Sequence, residues 1–86
     1  MASVRVHPRI HTKHPEVSDE DIITAWNGFI CRTRRVAAYD DNFIAVGFDA
    51  KGRALEMVAV QTGDDDWYVF HAMPATNKAL TELGLI

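Results

Sequence analysis

The feature that most constrains this chain is a change of hydrophobic period at Phe29. After that residue, apolar and polar side chains alternate with a period of two, and clusters of turn-forming residues interrupt the alternation. Alternating runs joined by short turns are typical of an antiparallel meander. The predicted strands cover residues 30–39, 42–49, 53–61 and 67–73.

Helical signals flank the predicted strands. Ser18 precedes three acidic residues, which places an N-cap hydroxyl and negative charge at the start of a helix over 19–27. A shorter helix is predicted between Pro8 and Pro15, and a closing helix is predicted after Pro74. The sequence therefore predicts an α+β fold: two short N-terminal helices, a four-stranded antiparallel meander sheet and a C-terminal helix. We expect the helices to pack on one side of the sheet.

Length and charge limit the function classes. The 86 residues predict one domain over 1–86. Apolar runs fall short of the ~20 residues that a bilayer span needs, and the chain opens without a signal-like apolar core, so we expect a cytoplasmic protein with no membrane partner. The net charge of −3 is uneven, since residues 1–35 hold six basic and four acidic side chains, and residues 36–86 hold three and eight. A local basic face is sufficient to bind phosphates.

Three histidines open the chain at helical spacing. His7, His11 and His14 stand at i, i+4 and i+7, so on a helix they would share one face. Three imidazoles can ligate zinc with an open fourth position. This spacing matches none of the established zinc motifs, and no second cluster of ligands is obvious. We therefore predict no metal and no cofactor.

Other side chains have the chemistry of phosphate binding and proton transfer. By strand alternation His71 falls on the same face as Trp67, where it is either a general acid or base or a core-edge histidine. The arginines suit phosphate clamping, or else surface salt bridges; they are Arg53 and, on the first strand, Arg32, Arg34 and Arg35. Trp67 suits stacking on a base, or else core packing. Together these residue types supply the parts of a metal-independent ribonuclease.

The order of these residues resembles the BrnT-like toxins of the RelE/barnase-like ribonuclease superfamily. The likeness runs over most of the chain. The segments that carry it are the basic opening with His7, Lys13 and His14, then residues 17–22, 44–48, 52–55, 57–60 and 69–73. The resemblance implies that a sheet face and a flanking helix form an RNA site, and that a DNA-binding antitoxin protein covers that site.

The resulting hypothesis is the toxin component of a type II toxin–antitoxin system, acting as a metal-independent endoribonuclease. Its partners would be RNA and a cognate antitoxin, and self-association is left open. The alternative is a non-catalytic protein-interaction domain of the same fold. We expect His71, Arg53 and one of His7 or His14 to share a pocket. The candidate site residues are, as catalytic groups, His71, Arg53, His14 and Lys13, and, as RNA-binding groups, His7, Arg34, Arg32 and Trp67.

Overall fold

The structure is a computed structural model that describes residues 3–35 and 42–86. These residues form five strands and three helices. In chain order the elements are β1 (Ser3–Val6), α1 (Arg9–Lys13), α2 (Asp19–Asn27), β2 (Phe29–Arg34), β3 (Asn42–Phe48), β4 (Ala54–Gly63), β5 (Asp66–Pro74) and α3 (Asn77–Glu82).

The strands form one mixed sheet in the order β1-β5-β4-β3-β2. The pairs among β2, β3, β4 and β5 are antiparallel, as the meander prediction required. Strand β1 is a fifth strand that the sequence analysis did not predict, and it pairs in parallel with β5. The α+β class is therefore confirmed, whereas the four-stranded antiparallel sheet is wrong. The added strand is short and its partner lies near the other end of the chain, so local alternation gives no sign of the pairing.

Helices cover both faces of the sheet. The larger core lies on one face, where Ile10 of α1 and Trp26 of α2 pack among buried side chains of the sheet. On the other face, α3 places Ala79 against Ile44 and Val58. The expectation that all helices share one side is therefore wrong. The central strands are apolar on both faces, and each face needs its own cover.

Helix α2 is the element that the sequence describes best. The Ser18 hydroxyl accepts from the Asp21 backbone N–H, and the Asp21 carboxylate accepts from the Ser18 N–H, so the two form a capping box. The helix then crosses β3 at Gly47. A Cβ built on Gly47 would lie 2.1 Å from the Ala25 carbonyl oxygen. The absence of a side chain at this position is what allows the helix to approach the strand.

A bulge in β5 changes which residues face α3. Val58 pairs with His71, while the next residue, Ala59, pairs with Val69, so Phe70 is an extra residue in β5. His71 consequently faces the α3 side with Glu56, whereas Trp67 remains in the core on the α2 side. The prediction that His71 and Trp67 share a face is wrong, because alternation assumes an uninterrupted strand.

The predicted ends of the strands agree less well with the structure than the predicted centres do. The strand predicted over 30–39 is β2, which ends at Arg34, and residues 36–39 and the turn residues 40–41 lie outside the described residues. Within the described residues, none of the helices is long and apolar enough to cross a bilayer.

Candidate active site

The geometry of the site begins with the shortness of β1. Its four residues pair with Asp66 to Val69 and leave the rest of β5 without a neighbouring strand on that side. The chain then turns into α1, which packs against β5 and is anchored there by buried Ile10. The side chains of α1 thereby come to the part of β5 that carries His71.

A basic cavity of about 290 Å³ lies between α1 and β5. Three basic side chains of the opening segment, Arg9, Lys13 and His14, line it together with Phe70 and His71. Among the described residues that line this cavity, none is acidic. Its positive character suits an anionic group such as a phosphate. The structure thus brings together His71, His14 and Lys13, three of the four predicted catalytic side chains.

A carboxylate holds the His71 ring from the α3 side. His71 Nε2 lies 2.9 Å from the Oε2 of Glu56. Thr76 donates to the other oxygen of Glu56 from its backbone N–H at 2.9 Å and from its hydroxyl at 2.6 Å. Burial would raise the pKa of Glu56, but the hydrogen bonds from Thr76 and His71 hold that pKa below its ordinary value.

The ionised carboxylate fixes the tautomer of neutral His71. Because an ionised carboxylate can only accept hydrogen bonds, the proton of the neutral ring must lie on Nε2, facing Glu56. The lone pair is then on Nδ1. The His71 side chain is 37% exposed, whereas the Glu56 side chain is 11% exposed. The pair therefore combines a held carboxylate with an imidazole that solvent and ligands can reach.

A second, mixed cavity of about 310 Å³ lies between the sheet and α3. Val58 and Phe70 form part of its apolar wall, and Arg35 and Glu82 are among its charged residues. Arg35 donates to the Glu82 carboxylate from Nε at 2.8 Å and from Nη2 at 2.9 Å. These hydrogen bonds lower the pKa of Glu82. Both cavities are lined by Phe70 and His71, so the imidazole stands where the two meet.

Arg53 belongs to a different cluster, at the end of the β3–β4 hairpin. Its Nε donates to the Asp49 Oδ2 at 2.7 Å, and its Nη2 lies 3.1 Å from the Asp21 Oδ2 and 3.0 Å from the Glu16 carbonyl oxygen. Asp21 and Asp49 are both buried. Arg53 is not among the described residues that line either cavity. The structure therefore does not bring the predicted phosphate clamp to His71.

The predicted RNA-binding groups of β2 lie on the other face of the sheet from His71. Arg32 and Arg34 pair in register with Ala45 and Phe43, which pack in the larger core. The Arg32 guanidinium carbon lies 4.6 Å from the ring centroid of Trp67. Trp67 is only 3% exposed, so its ring has no face open to an RNA base. Arg32 and Trp67 pack together, and none of Arg32, Arg34 and Trp67 is among the described residues that line the two cavities.

The three opening histidines have separate surroundings. His7 Nδ1 accepts from the Arg9 backbone N–H at 3.0 Å. His11 binds the Asp19 carboxylate and the Val17 carbonyl oxygen, and these two contacts raise the pKa of its ring. Within residues 3–35 and 42–86, no group of three or more His, Cys, Asp or Glu side chains is placed to hold a metal ion. The absence of a metal stays a prediction.

Sequence reasoning missed the carboxylate that holds His71. Glu56 is the charged residue in an otherwise apolar buried run of β4, between Leu55 and Met57. A charged residue in such a run needs a partner when it is buried, and that signal was available in the sequence. Arg9 and Glu82 carry no comparable signal, because each stands in a segment whose pattern is typical of ordinary surface.

Comparisons of the chain with known protein families, curated proteins and solved structures found no match. The likeness to the BrnT-like toxins therefore remains a prediction, and the geometry around His71 is what supports a function.

Proposed function

We propose that this protein is a metal-independent endoribonuclease, the toxin component of a type II toxin–antitoxin system. One observation carries the proposal: the carboxylate-held imidazole of His71 stands at the wall of a basic cavity lined by Lys13 and His14. An imidazole for proton transfer beside cationic groups for phosphate is the combination that RNA transesterification requires.

In the proposed reaction the 2′-hydroxyl of RNA attacks the adjacent phosphorus. Neutral His71 takes the hydroxyl proton on Nδ1, while Glu56 stabilises the imidazolium that results. The bond from phosphorus to the 5′-oxygen breaks, and protonated His14 donates a proton to that oxygen. The products are a 2′,3′-cyclic phosphate and a new 5′-hydroxyl end.

The cationic side chains of the basic cavity have the complementary role. Negative charge accumulates on the phosphoryl oxygens as the pentavalent transition state forms. Lys13 and Arg9 are exposed and line the cavity next to His71, where their charges would stabilise that transition state. They take the place that the sequence hypothesis gave to Arg53, whose polar contacts are already made to Asp21 and Asp49.

The test is cleavage of a mixed-sequence RNA by the purified protein in the presence of a chelator. We expect cleavage that leaves cyclic phosphate ends, and slowed growth when the chain is expressed from an inducible promoter. Growth should recover when a small DNA-binding protein encoded beside it is co-expressed. Intact RNA after long incubation at high protein concentration would contradict the endoribonuclease proposal.

A second candidate is a non-catalytic interaction domain, and one observation favours it. Large apolar side chains remain exposed, among them Ile30 and Phe48, each at 53%. Exposed apolar groups of this size are typical of protein-interaction surfaces. Wild-type protein that leaves RNA intact and growth unchanged, but associates with a neighbouring gene product, would favour this alternative. A toxin bound by an antitoxin would also need such a surface, so the cleavage assay decides between the two.

A further inference from the structure

We propose that the start of β2, with the neighbouring end of β3 and the chain that follows α3, is an interface at which two copies of this chain form a two-fold dimer. The interface lies at the edge of the sheet opposite to β1. The proposal goes beyond the ribonuclease, because it concerns a surface that takes no part in the proposed reaction and it holds whether or not RNA is cleaved.

The exposed apolar side chains gather at one place in the fold. Phe29 pairs with Gly47, the residue before Phe48. Cys31 Sγ lies 3.7 Å from the Leu83 carbonyl oxygen, so the last residues of the chain begin beside β2. Among the described residues, the large apolar side chains with exposures of 40% to 67% are Phe29, Ile30, Phe48, Leu85 and Ile86. We call these five residues the apolar corner.

The two edges of the sheet differ in character. At one edge, β1 exposes Ser3 and Arg5. At the other edge, β2 begins with exposed Phe29 and Ile30, and its charged residues come only from Arg32 onward. Charged side chains on an edge strand oppose association with another chain, whereas exposed apolar side chains favour it. The start of β2 is therefore the edge that a partner would cover.

A two-fold axis perpendicular to the sheet would bring two apolar corners together. Such an axis sets the two β2 strands side by side and antiparallel, with the α3 faces of both copies on the same side. Phe48 lies on the α3 face, since it alternates with Ile44. Phe29 lies on the other face, where the Arg32 guanidinium carbon is 4.2 Å from its ring centroid and also close to Trp67. Each copy would thus present apolar groups on both faces to the same groups of its partner, as a two-fold interface requires.

The size of the apolar corner suits a second copy of this small chain. Since a large aromatic side chain buries about 150–250 Å², five large side chains exposed by about half present roughly 400–500 Å² of apolar surface. Two such corners approach the lower limit of specific interfaces, about 1,200 Å² in total, once the polar rim is added.

A bulge limits the strength of this contact. Ile30 is the extra residue of a bulge between Phe29 and Cys31, and this bulge interrupts the regular edge of β2. The two copies would therefore meet through side-chain packing, with few hydrogen bonds between their strands. We expect a dissociation constant on the order of 10 μM.

The test is sedimentation equilibrium of the whole chain, at concentrations from about tenfold below to about tenfold above that dissociation constant. The wild type should show a monomer–dimer equilibrium. Ile30→Glu and Phe48→Glu place a charge in the apolar corner at exposed positions, so each should raise the dissociation constant at least about tenfold. Ser3→Glu, which adds the same charge to the exposed edge of β1, is the matched control and should leave the dimer unchanged.

Circular dichroism of every variant shows whether it is folded. Ile30→Ser removes the apolar side chain without adding a charge, and it should weaken the dimer in the same direction if a glutamate variant proves to be unfolded.

Four results would overturn the proposal. The first is a wild type that stays monomeric over the whole range, and the second is a dimer that persists in both folded glutamate variants, because its interface would then lie elsewhere. The third is a series of growing oligomers, because a two-fold interface closes at two copies. The fourth is a monomeric chain that binds a different protein through Ile30 and Phe48, since that partner would then occupy the apolar corner.

Discussion

Two charged clusters at different places in this sheet differ in how fully their groups are engaged. In the Arg53 cluster, at the hairpin end, the arginine joins two buried carboxylates, Asp21 and Asp49, and connects the hairpin to α2. In the His71 cluster, Glu56 is held by hydrogen bonds, while the imidazole makes a hydrogen bond to the described residues through Nε2 alone and lines two cavities. A cluster whose charges are all matched stabilises a fold, whereas one that leaves a titratable group accessible can perform chemistry.

The largest expected effect is on stability, in the Arg53 cluster. Arg53→Met keeps an apolar stem but leaves Asp21 and Asp49 buried without the guanidinium. Arg53 is 31% exposed, and Asp21 keeps a contact with Lys51, so we expect less than for a fully buried ion pair, a loss of about 2 kcal/mol in the free energy of unfolding. Urea unfolding at neutral pH measures it. A loss below about 1 kcal/mol would show that the cluster contributes little to the fold.

The lowered pKa values of Asp21 and Asp49 predict that stability depends on pH. Hydrogen bonds from Ser18 lower the pKa of Asp21. Burial would raise the pKa of Asp49, but hydrogen bonds from Arg53 and Lys51 hold that pKa below its ordinary value. A lowered pKa in the folded state gives stability that is present above the unfolded value of about 3.9 and is lost as the pH falls through the folded value.

The difference in the free energy of unfolding between the wild type and Arg53→Met should therefore become smaller below about pH 4. Other carboxylates, such as Glu56 and Glu82, also have lowered pKa values, so both proteins lose stability in acid and the difference between them is the informative quantity. Unfolding free energies of both proteins at pH 7 and pH 3 provide it. A gap of constant size would contradict the role of these carboxylates.

Two helix caps give smaller expected effects. Ser18 caps α2 beside the Arg53 cluster, and Thr76 caps α3 while also donating to Glu56. Ser18→Ala and Thr76→Ala should each cost about 1 kcal/mol of stability. Only Thr76→Ala should also slow RNA cleavage per folded molecule, because it removes one of the two hydrogen bonds by which Thr76 holds the carboxylate that orients His71. Equal cleavage by the two variants would show that the Thr76 hydroxyl has no part in orienting His71 through Glu56.

The sequence predicted the local elements well and the long-range ones poorly. Helix α2 has the predicted bounds, and its start is encoded next to it by the cap residue Ser18. Strand β1 was missed because its pairing with β5 is not a local property. The bulge at Phe70 was missed for the same reason, since it exists only in the register between β4 and β5.

In the candidate site, too, the chemistry of single residues was predicted and their long-range partners were missed. His71, His14 and Lys13 were singled out from residue chemistry, and the structure brings them to one cavity. Arg53 was singled out on the same grounds, but the sequence does not show its partners. Asp21 is distant from Arg53 in sequence, and Asp49 stands in a hairpin turn, where an aspartate is common. Residue type indicates what a side chain can do, whereas its partners decide whether it remains available.

The most direct measurement is the rate of RNA cleavage per folded molecule, with chelator present, for His71→Ala, Arg53→Met and the matched control His11→Ala. General acid–base catalysis by one side chain contributes about 10²–10⁴ in rate. We predict a loss of that size for His71→Ala, counted per folded molecule, because the variant also removes one hydrogen-bond partner of buried Glu56 and so loses some stability. The other two variants should lose stability but keep a near wild-type rate under conditions where they are folded. If His71→Ala cleaves as fast as the folded wild type, the assignment of chemistry to the His71 cluster is wrong.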